Sequence, residues 1–333
     1  MKVLEQRDST RDLKRLFLPA AYAGLFIVFA ILPTFIKSNY WLHIIIIILI
    51  YIIAAVSLRS ITITGQFPLA HGAFMGIGAY FSAVMAKEAG WSPWITIPLG
   101  GIVSTGIGVL IGYPFARLRA LYYAMVSLFF GIGVLQIIFV FQKWTRGMSG
   151  LMGIPPLLPE VSSILPNYYL FLGLTTICLI ALYRFEFCRI GIAMKAIAQS
   201  HQVASSVGIN EAGYRVFSLA VGCFFVGIAG AAYAHYNATL SYTSFDLTAT
   251  LWLFMYLIIG GLNSFSGPII GTILLILIPE LFRELKQFAP YISAVILLIV
   301  IFFMRQGLVS LPGIIRDRLA TRRGNNRAAA DIP

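Results

Sequence analysis

The chain has 333 residues, of which 59% are hydrophobic and only 11% are charged. Soluble domains average about 45–50% apolar and about 25% charged residues, so a water-soluble fold would leave much of this apolar surface unburied. The net charge of +12 would suit a nucleic-acid ligand only on a contiguous basic face, whereas the basic residues here flank apolar segments. The composition therefore predicts an all-α polytopic transmembrane bundle in a lipid bilayer, with no nucleic-acid partner.

Ten apolar segments approach the roughly 20 residues that a helix needs to cross a bilayer. They lie at 17–36, 41–58, 65–86, 93–116, 120–142, 164–183, 214–238, 247–262, 268–283 and 289–305. The first run follows a long polar stretch of mixed charge without a cleavage site after it, which favours a retained span. The eighth and ninth runs are short and flank GGLNSFSGP, so this hairpin either crosses fully or only dips into the bilayer. Ten spans are preferred, and eight remain an alternative.

Basic residues orient the predicted spans. With a cytosolic N-terminus, eighteen of the 24 lysines and arginines fall in cytosolic segments and six fall outside. Because cytosolic loops of membrane proteins are enriched in these residues, both termini are predicted to be cytosolic. The predicted organisation is a cytosolic tail at 1–16, a transmembrane domain at 17–305 with a cytosolic segment at 184–213, and a second tail at 306–333.

The stretch TGQFPLAHGAFMGIGAY, residues 64–80, breaks helical regularity with one proline and several glycines. Irregular backbone at membrane depth occurs only where protein buries it or where it lines a cavity. We therefore expect this stretch to line a translocation path, although its glycine spacing also fits close helix packing and a lone histidine is usually a packing residue. The candidate path residues are Gly65, Gln66, His71, Phe74, Gly76, Gly78 and Tyr80.

A structured loop is predicted at 143–163, KWTRGMSGLMGIPPLLPEVSS, because it is rich in glycine and proline. This loop would either contact an external delivery protein or cap the bundle.

The segment 184–213 instead predicts an amphipathic helix beneath the membrane, with apolar positions at helical spacing. Gly208 would end that helix, and Asn210 would cap the next one beside Glu211. This helix is either a plain surface helix or a docking element for a cytosolic partner. The candidate coupling residues are Ile190, Met194, Ile197, Ala204, Gly208 and Asn210.

Residues suited to catalysis or metal binding are few and scattered. The three cysteines, Cys178, Cys188 and Cys223, show no metal-type spacing and are expected to be small apolar residues. Only Glu280 lies clearly inside an apolar run, and pairing with Arg283 at the interface would explain it. No catalytic residue, metal or cofactor is predicted. The sequence contains no phosphate-binding loop of the G-x-x-x-x-G-K type, so any ATP hydrolysis requires another chain.

Several blocks together resemble the LivM-type permeases of the branched-chain amino acid ABC importers, within a wider family that includes urea and short-amide permeases. The blocks are TGQFPLAHGAFMGIGAY, ARLRALYYAMVSLFFG, RIGIAMKAIAQSHQVASSVGIN, FVGIAGAAYA and LIIGGLNSFSGPIIGT. The sequence departs from the family pattern at Pro68-Leu69, at Ala120 and at Gln199–Gln202, where acidic residues are usual.

The resemblance implies a permease subunit, not an enzyme, in the bacterial cytoplasmic (inner) membrane. Its expected partners are a second homologous permease subunit, two ATP-binding cassette subunits and an external or periplasmic solute-binding protein. Its expected cargo is a branched-chain, aliphatic amino acid that moves by alternating access. Urea or a short amide is the alternative cargo, and a stand-alone secondary transporter is disfavoured by the scarcity of intramembrane acids.

Overall fold

A computed structural model describes residues 29–35, 38–118, 120–158, 163–281, 291, 295 and 298. Residues 29–35 are helical. The helices that follow are α1 Asn39–Thr62, α2 His71–Glu88, α3 Pro93–Phe115, α4 Ala120–Val140, α5 Gln142–Thr145, α6 Ile164–Phe187, α7 Arg189–Gln199, α8 His201–Ser206, α9 Glu211–Asn237, α10 Leu247–Gly260 and α11 Gly267–Leu281. Short 3₁₀ turns occupy Gly147–Ser149 and Tyr242–Phe245, and β1 Leu151–Met152 pairs antiparallel with β2 Thr239–Leu240.

Within the described part of the chain, six segments are long and apolar enough to span a membrane. They are Asn39–Thr62, Pro93–Phe115, Leu121–Val140, Ile164–Phe187, Glu211–Asn237 and Tyr242–Gly260, and the shorter Gly267–Leu281 is also apolar. The prediction of an all-α membrane bundle is confirmed. The last predicted span, 289–305, and both tails lie essentially outside the described residues, as does most of the first span.

The centre of the bundle is built from α1, α2, α3 and α9, which pack against one another. The apolar residues of α1 run around its whole circumference, as expected of a helix surrounded by protein rather than of an amphipathic surface helix. By contrast, α4 and α6 bury only a minority of their residues, as expected of helices at the edge of a bundle. The apolar surface of the edge helices therefore suits lipid or another subunit.

Small residues allow the central helices to touch backbone to backbone. A Cβ atom added at Gly78 would overlap the carbonyl of Gly227, and one added at Gly230 would overlap the carbonyl of Met75. The Ser104 hydroxyl donates to the Phe74 carbonyl at 2.7 Å and joins α3 to α2. Apolar surface gains little from helix association inside lipid, so close packing and interhelical hydrogen bonds of this kind hold the core together.

The ends of the helices gather into two opposite faces. The first, here called the coupling face, contains residues 60–70, 116–118, 184–213 and 261–266. On it, Gly65 lies against Ala198 of α7, and Arg215 donates to the Leu118 carbonyl at 3.2 Å. The second, here called the loop face, contains residues 87–92, 141–158 and 238–246. On it, the β1–β2 pair joins two loops, and Lys87 donates to the Met152 carbonyl at 2.6 Å.

The predicted helix at 190–208 is two helices in the structure. Ser200 has extended backbone angles and separates α7 from α8, and its side chain accepts a hydrogen bond from the Val203 amide. A serine at this place caps a new helix because its hydroxyl satisfies an amide that the first turn leaves unpaired. The predicted helix end at Gly208 and the predicted helix cap at Asn210 are confirmed. Gly208 has a φ of +82°, and the Asn210 side chain accepts from the Gly213 amide at the start of α9.

Candidate translocation and coupling sites

The irregular stretch at 64–80 begins with non-helical backbone and then enters α2. Residues 63–70 form turns and extended structure, and the helix starts only at His71, after Pro68. Gly65 has a φ of +79°, a conformation that a residue with a Cβ rarely adopts. The predicted interruption of the helix is therefore confirmed before His71, at the coupling face, whereas the rest of the stretch, residues 71–80, is regular helix.

The candidate path residues of this stretch are buried, except for Gly65, which is exposed. Gln66, Phe74 and Tyr80 are each less than 5% exposed, and His71 is completely buried. The Nε2 atom of His71 lies 3.0 Å from the Ser57 hydroxyl, so this side of the ring is bonded to α1. The Nδ1 atom of His71 has no hydrogen-bond partner among the described residues.

A plug from the loop face covers α2. It consists of residues 242–250, which form the 3₁₀ turn Tyr242–Phe245 and the first turn of α10, and is called the loop-face plug below. Phe245 is 1% exposed, and a Cβ added at Gly76 would lie 3.1 Å from the Phe245 Cβ. The Gly72 amide donates to the Thr250 hydroxyl at 2.9 Å. Gly72 and Gly76 therefore form a groove that the plug fills.

Aromatic rings surround the plug. The Phe245 ring packs edge-on against Tyr80 at a centroid distance of 6.3 Å and against Tyr233 at 6.0 Å. A solute that reached the candidate path from the loop face would have to displace Phe245. The plug therefore covers the α2 part of this stretch at Gly72 and Gly76.

A cavity of about 510 Å³ lies on the other side of the plug. Its lining combines aromatic rings, hydroxyl groups, one carboxylate and aliphatic surface. It includes Tyr51, Ser244, Asp246, Trp252, Tyr256 and Leu275. The seven predicted path residues do not line it. Sequence reasoning missed this cavity because its lining comes from α1, the plug, α10 and α11, which are distant in the chain.

A buried ion cluster forms at the coupling face. The Arg59 guanidinium contacts both carboxylate oxygens of Glu186, at 2.8 and 2.6 Å, and both side chains are about 3% exposed. Lys195 of α7 reaches the same carboxylate at 2.9 Å, and Arg59 also donates to the Leu262 carbonyl. We call these four residues the Arg59 cluster. It ties α1, α6, α7 and the α10–α11 turn together.

Sequence reasoning did not identify the Arg59 cluster, since it assigned Arg59 and Glu186 only to cytosolic segment ends. A signal existed. Arg59 is the one charged residue in a 24-residue helix of otherwise apolar and small polar residues. A buried charge needs an oppositely charged partner, but the sequence alone does not show which carboxylate pairs with Arg59.

Three of the six candidate coupling residues point into the protein. Met194, Ile197 and Ala204 are each 3% exposed or less, so they anchor α7 and α8 to the bundle. Ile190 is half-buried, while Gly208 and Asn210 are exposed and end or cap helices. The most exposed large apolar residues of this segment are Ile192, Val203 and Val207, each more than 60% exposed.

Glu280, the intramembrane acid singled out in the sequence, is half-buried near the loop-face end of α11. Its expected partner Arg283 lies outside the described residues. Of the three cysteines, Cys178 and Cys223 are buried and Cys188 is partly exposed, and all three are free thiols.

The sequence profile of the family described as "Branched-chain amino acid transport system / permease component" matches residues 40–305. This chain belongs to that family. The match covers α1 to α11, and so includes the candidate path, the plug and the Arg59 cluster. The chain is therefore a transport subunit and not an enzyme, a multi-pass protein of the bacterial inner membrane, and one component of a system with further subunits.

Two relatives are proteins called "High-affinity branched-chain amino acid transport system permease protein LivM". The protein from Salmonella typhimurium is 26% identical over 93% of this chain and 78% of its own length. The protein from Escherichia coli is 25% identical over 97% of this chain and 80% of its own length. No solved structure matches the chain.

Proposed function

We propose that this permease translocates branched-chain, aliphatic amino acids into the cell, driven by ATP that other subunits hydrolyse. In the proposed assembly it pairs with a second homologous permease subunit, two ATP-binding cassette subunits and an external solute-binding protein. The observation that carries the proposal is the family match over α1 to α11, together with relatives whose names specify that transport.

The proposed topology has ten spans, with the coupling face and both termini in the cytosol. Nine lysines and arginines fall within the described residues. Six belong to the coupling face or the helix ends beside it: Arg59, Arg117, Arg184, Arg189, Lys195 and Arg215. Three belong to the loop face: Lys87, Lys143 and Arg146. This bias supports a cytosolic coupling face, because basic residues are enriched on that side of membrane proteins.

The proposed docking surface for an ATPase subunit is the exposed side of α7 and α8. Ile192, Val203 and Val207 expose aliphatic surface there, on helices whose other side is anchored by Met194, Ile197 and Ala204. A partner that binds the exposed side would move α7 and α8 together, because their packed buried residues restrict the motion of one helix relative to the other.

The proposed route of coupling runs through the Arg59 cluster. Lys195 on α7 contacts Glu186, Glu186 holds Arg59, and Arg59 holds the carbonyl of Leu262 at the α10–α11 turn. A displacement of α7 would therefore shift the coupling-face end of α10 through these contacts. Coupling of this kind requires a continuous set of contacts between rigid elements, and the cluster provides one.

The other end of α10 carries the loop-face plug. Movement of α10 along its axis or about it would lift Phe245 and Thr250 from the groove of Gly72 and Gly76. In the proposed cycle, the plug closes the path at the loop face while the coupling-face side is free to open, and ATP-driven motion reverses this arrangement. The cycle is an alternating-access mechanism in which two states of one helix control access.

Reconstitution tests the proposal. The chain would be co-purified with its neighbouring permease, ATPase and binding-protein subunits and placed in proteoliposomes with ATP on the coupling-face side. We expect ATP-dependent uptake of radiolabelled leucine, isoleucine and valine when the binding protein is supplied on the other side. Uptake of urea or acetamide instead would refute the proposed cargo, and uptake without ATPase subunits, driven by an ion gradient, would refute the proposed mechanism.

A further inference from the structure

The cavity beside the loop-face plug combines features that complement an amino acid. Its volume of about 510 Å³ falls within the range of about 300–1,000 Å³ typical of small-molecule sites. Such sites are mostly apolar with a few polar groups that orient the ligand. Here the apolar part comes from Trp252, Leu275 and Pro279.

Asp246 is the one carboxylate among the lining residues that the structure describes. One of its oxygens accepts from the Ala249 amide at 3.0 Å, and the other accepts from the Thr248 hydroxyl at 3.2 Å. A carboxylate accepts about four hydrogen bonds, so both oxygens retain capacity for a ligand. Among the described lining residues, none carries a positive charge, so the negative charge of Asp246 favours a cationic ligand group.

The floor of the cavity provides hydrogen-bond donors. Tyr256 lines the cavity and is only 6% exposed. Tyr51, which also lines the cavity, packs edge-on against Tyr256 at a centroid distance of 6.2 Å. A phenol hydroxyl can donate one hydrogen bond to a ligand that occupies the cavity.

We infer that this cavity is a binding site for a zwitterionic amino acid on its way through the permease. The Asp246 carboxylate accepts from the α-ammonium group, the Tyr51 and Tyr256 hydroxyls donate to the α-carboxylate, and Trp252 and Leu275 contact the aliphatic side chain. The inference rests on the proposed function and adds the site and the chemistry of recognition. Urea and short amides lack the ammonium group, so the charge of Asp246 gives them no comparable advantage.

Two substitutions remove the proposed contacts and leave the fold intact. Asp246→Asn removes the charge but keeps the N-cap of α10, because asparagine and aspartate cap helices about equally well. Tyr256→Phe removes only a hydroxyl group. The matched controls are Glu88→Gln, which removes an exposed carboxylate at the loop face, and Tyr122→Phe, which removes a hydroxyl from a 72% exposed side chain on α4.

The measurement is the number of leucine molecules taken up per ATP hydrolysed, in proteoliposomes with saturating leucine-loaded binding protein. We expect Asp246→Asn to lower this ratio at least about tenfold, since a hydrogen bond to a charged group contributes roughly 1.5–3 kcal/mol. Tyr256→Phe should lower it several-fold. Both control variants should keep the wild-type ratio. ATPase stimulation by the binding protein should persist in every variant, which reports intact assembly.

A wild-type ratio in Asp246→Asn would overturn the inference, whatever the result for Tyr256→Phe. If that variant does not assemble, Asp246→Ser carries the same test, because serine is also a good N-cap and is uncharged. Failure of the proposed function is distinguishable: it would appear as absence of leucine uptake by the wild-type complex, before any variant is compared.

Discussion

Arg59 and Glu186 form a bidentate ion pair, with nitrogen–oxygen distances of 2.8 and 2.6 Å and almost no exposure to solvent. The two residues are 127 positions apart, at the coupling-face ends of α1 and α6. Such a pair contributes geometry more than stability, because removing two charges from water offsets most of their attraction. Its position between α7 and the α10–α11 turn is the reason why we propose a role for it in coupling.

Glu186→Ala should destabilise the protein by about 3–5 kcal/mol, because the Arg59 guanidinium would remain buried without a carboxylate. Lys195→Ala should cost less than about 1 kcal/mol, since Lys195 is 38% exposed and its attraction is screened by water. Thermal unfolding in detergent, followed by loss of the monodisperse peak on gel filtration, measures both. Equal shifts in the two variants would contradict the assignment of Arg59 and Glu186 as the essential pair.

The double variant Arg59→Met/Glu186→Leu separates stability from coupling. Replacing both members of a buried pair with apolar residues is often neutral or stabilising, so the protein should unfold at nearly the wild-type temperature. We expect ATP hydrolysis to continue in the assembled complex while leucine uptake falls to background. Normal uptake by this variant would show that the Arg59 cluster does not transmit motion.

Val203→Asp and Val207→Asp should abolish co-purification of the ATPase subunits, because each places a charge in the proposed apolar docking surface. Neither change should affect folding, since these valines are 63% and 71% exposed. The control is Met148→Asp, which introduces the same charge at a 76% exposed residue of the loop face. Loss of the ATPase subunits with Met148→Asp as well would indicate a general effect of charge.

Phe245→Ala should make the permease leaky. Removing the ring leaves an opening in the groove over Gly76, so leucine loaded into proteoliposomes should escape without ATP. Phe171→Ala is the matched control, because Phe171 is equally buried at 1% exposure but packs against Tyr236, away from the plug. Both variants should lose about 3–5 kcal/mol of stability, and leakage should occur only with Phe245→Ala. Equal leakage from both would refute the role of Phe245 as the seal.

Gly78→Val should prevent the close approach of α2 and α9, since its side chain would overlap the backbone of Gly227. Backbone has little room to shift, so we expect a stability loss of at least about 1–3 kcal/mol, as in overpacked cores. Gly133→Val on α4 is the control, because no atom lies within 4 Å of a Cβ added there. The measurement is thermal unfolding in detergent, and only Gly78→Val should lower the midpoint.

Composition and periodicity were sufficient to predict the class of fold, because lipid demands long apolar helices and such helices are visible in any sequence. The same reasoning predicted the interruption before His71, where Pro68 and Gly65 exclude regular helix, and the helix end at Gly208. The sequence reasoning predicted one helix at 190–208, whereas Ser200 separates two helices. The apolar spacing continues past Ser200, so the pattern does not show that the backbone leaves the helix there.

Tertiary structure decided how these elements become sites. The sequence singled out the glycines of α2, but only the fold shows that Gly76 receives Phe245 and that Gly72 receives Thr250. It placed Arg59 and Glu186 at separate helix ends, and it gave no sign that Asp246, Tyr51 and Tyr256 share a cavity. The reason is physical: hydrophobic periodicity is local, whereas a buried ion pair, a seal or a ligand cavity depends on contacts between helices far apart in the chain.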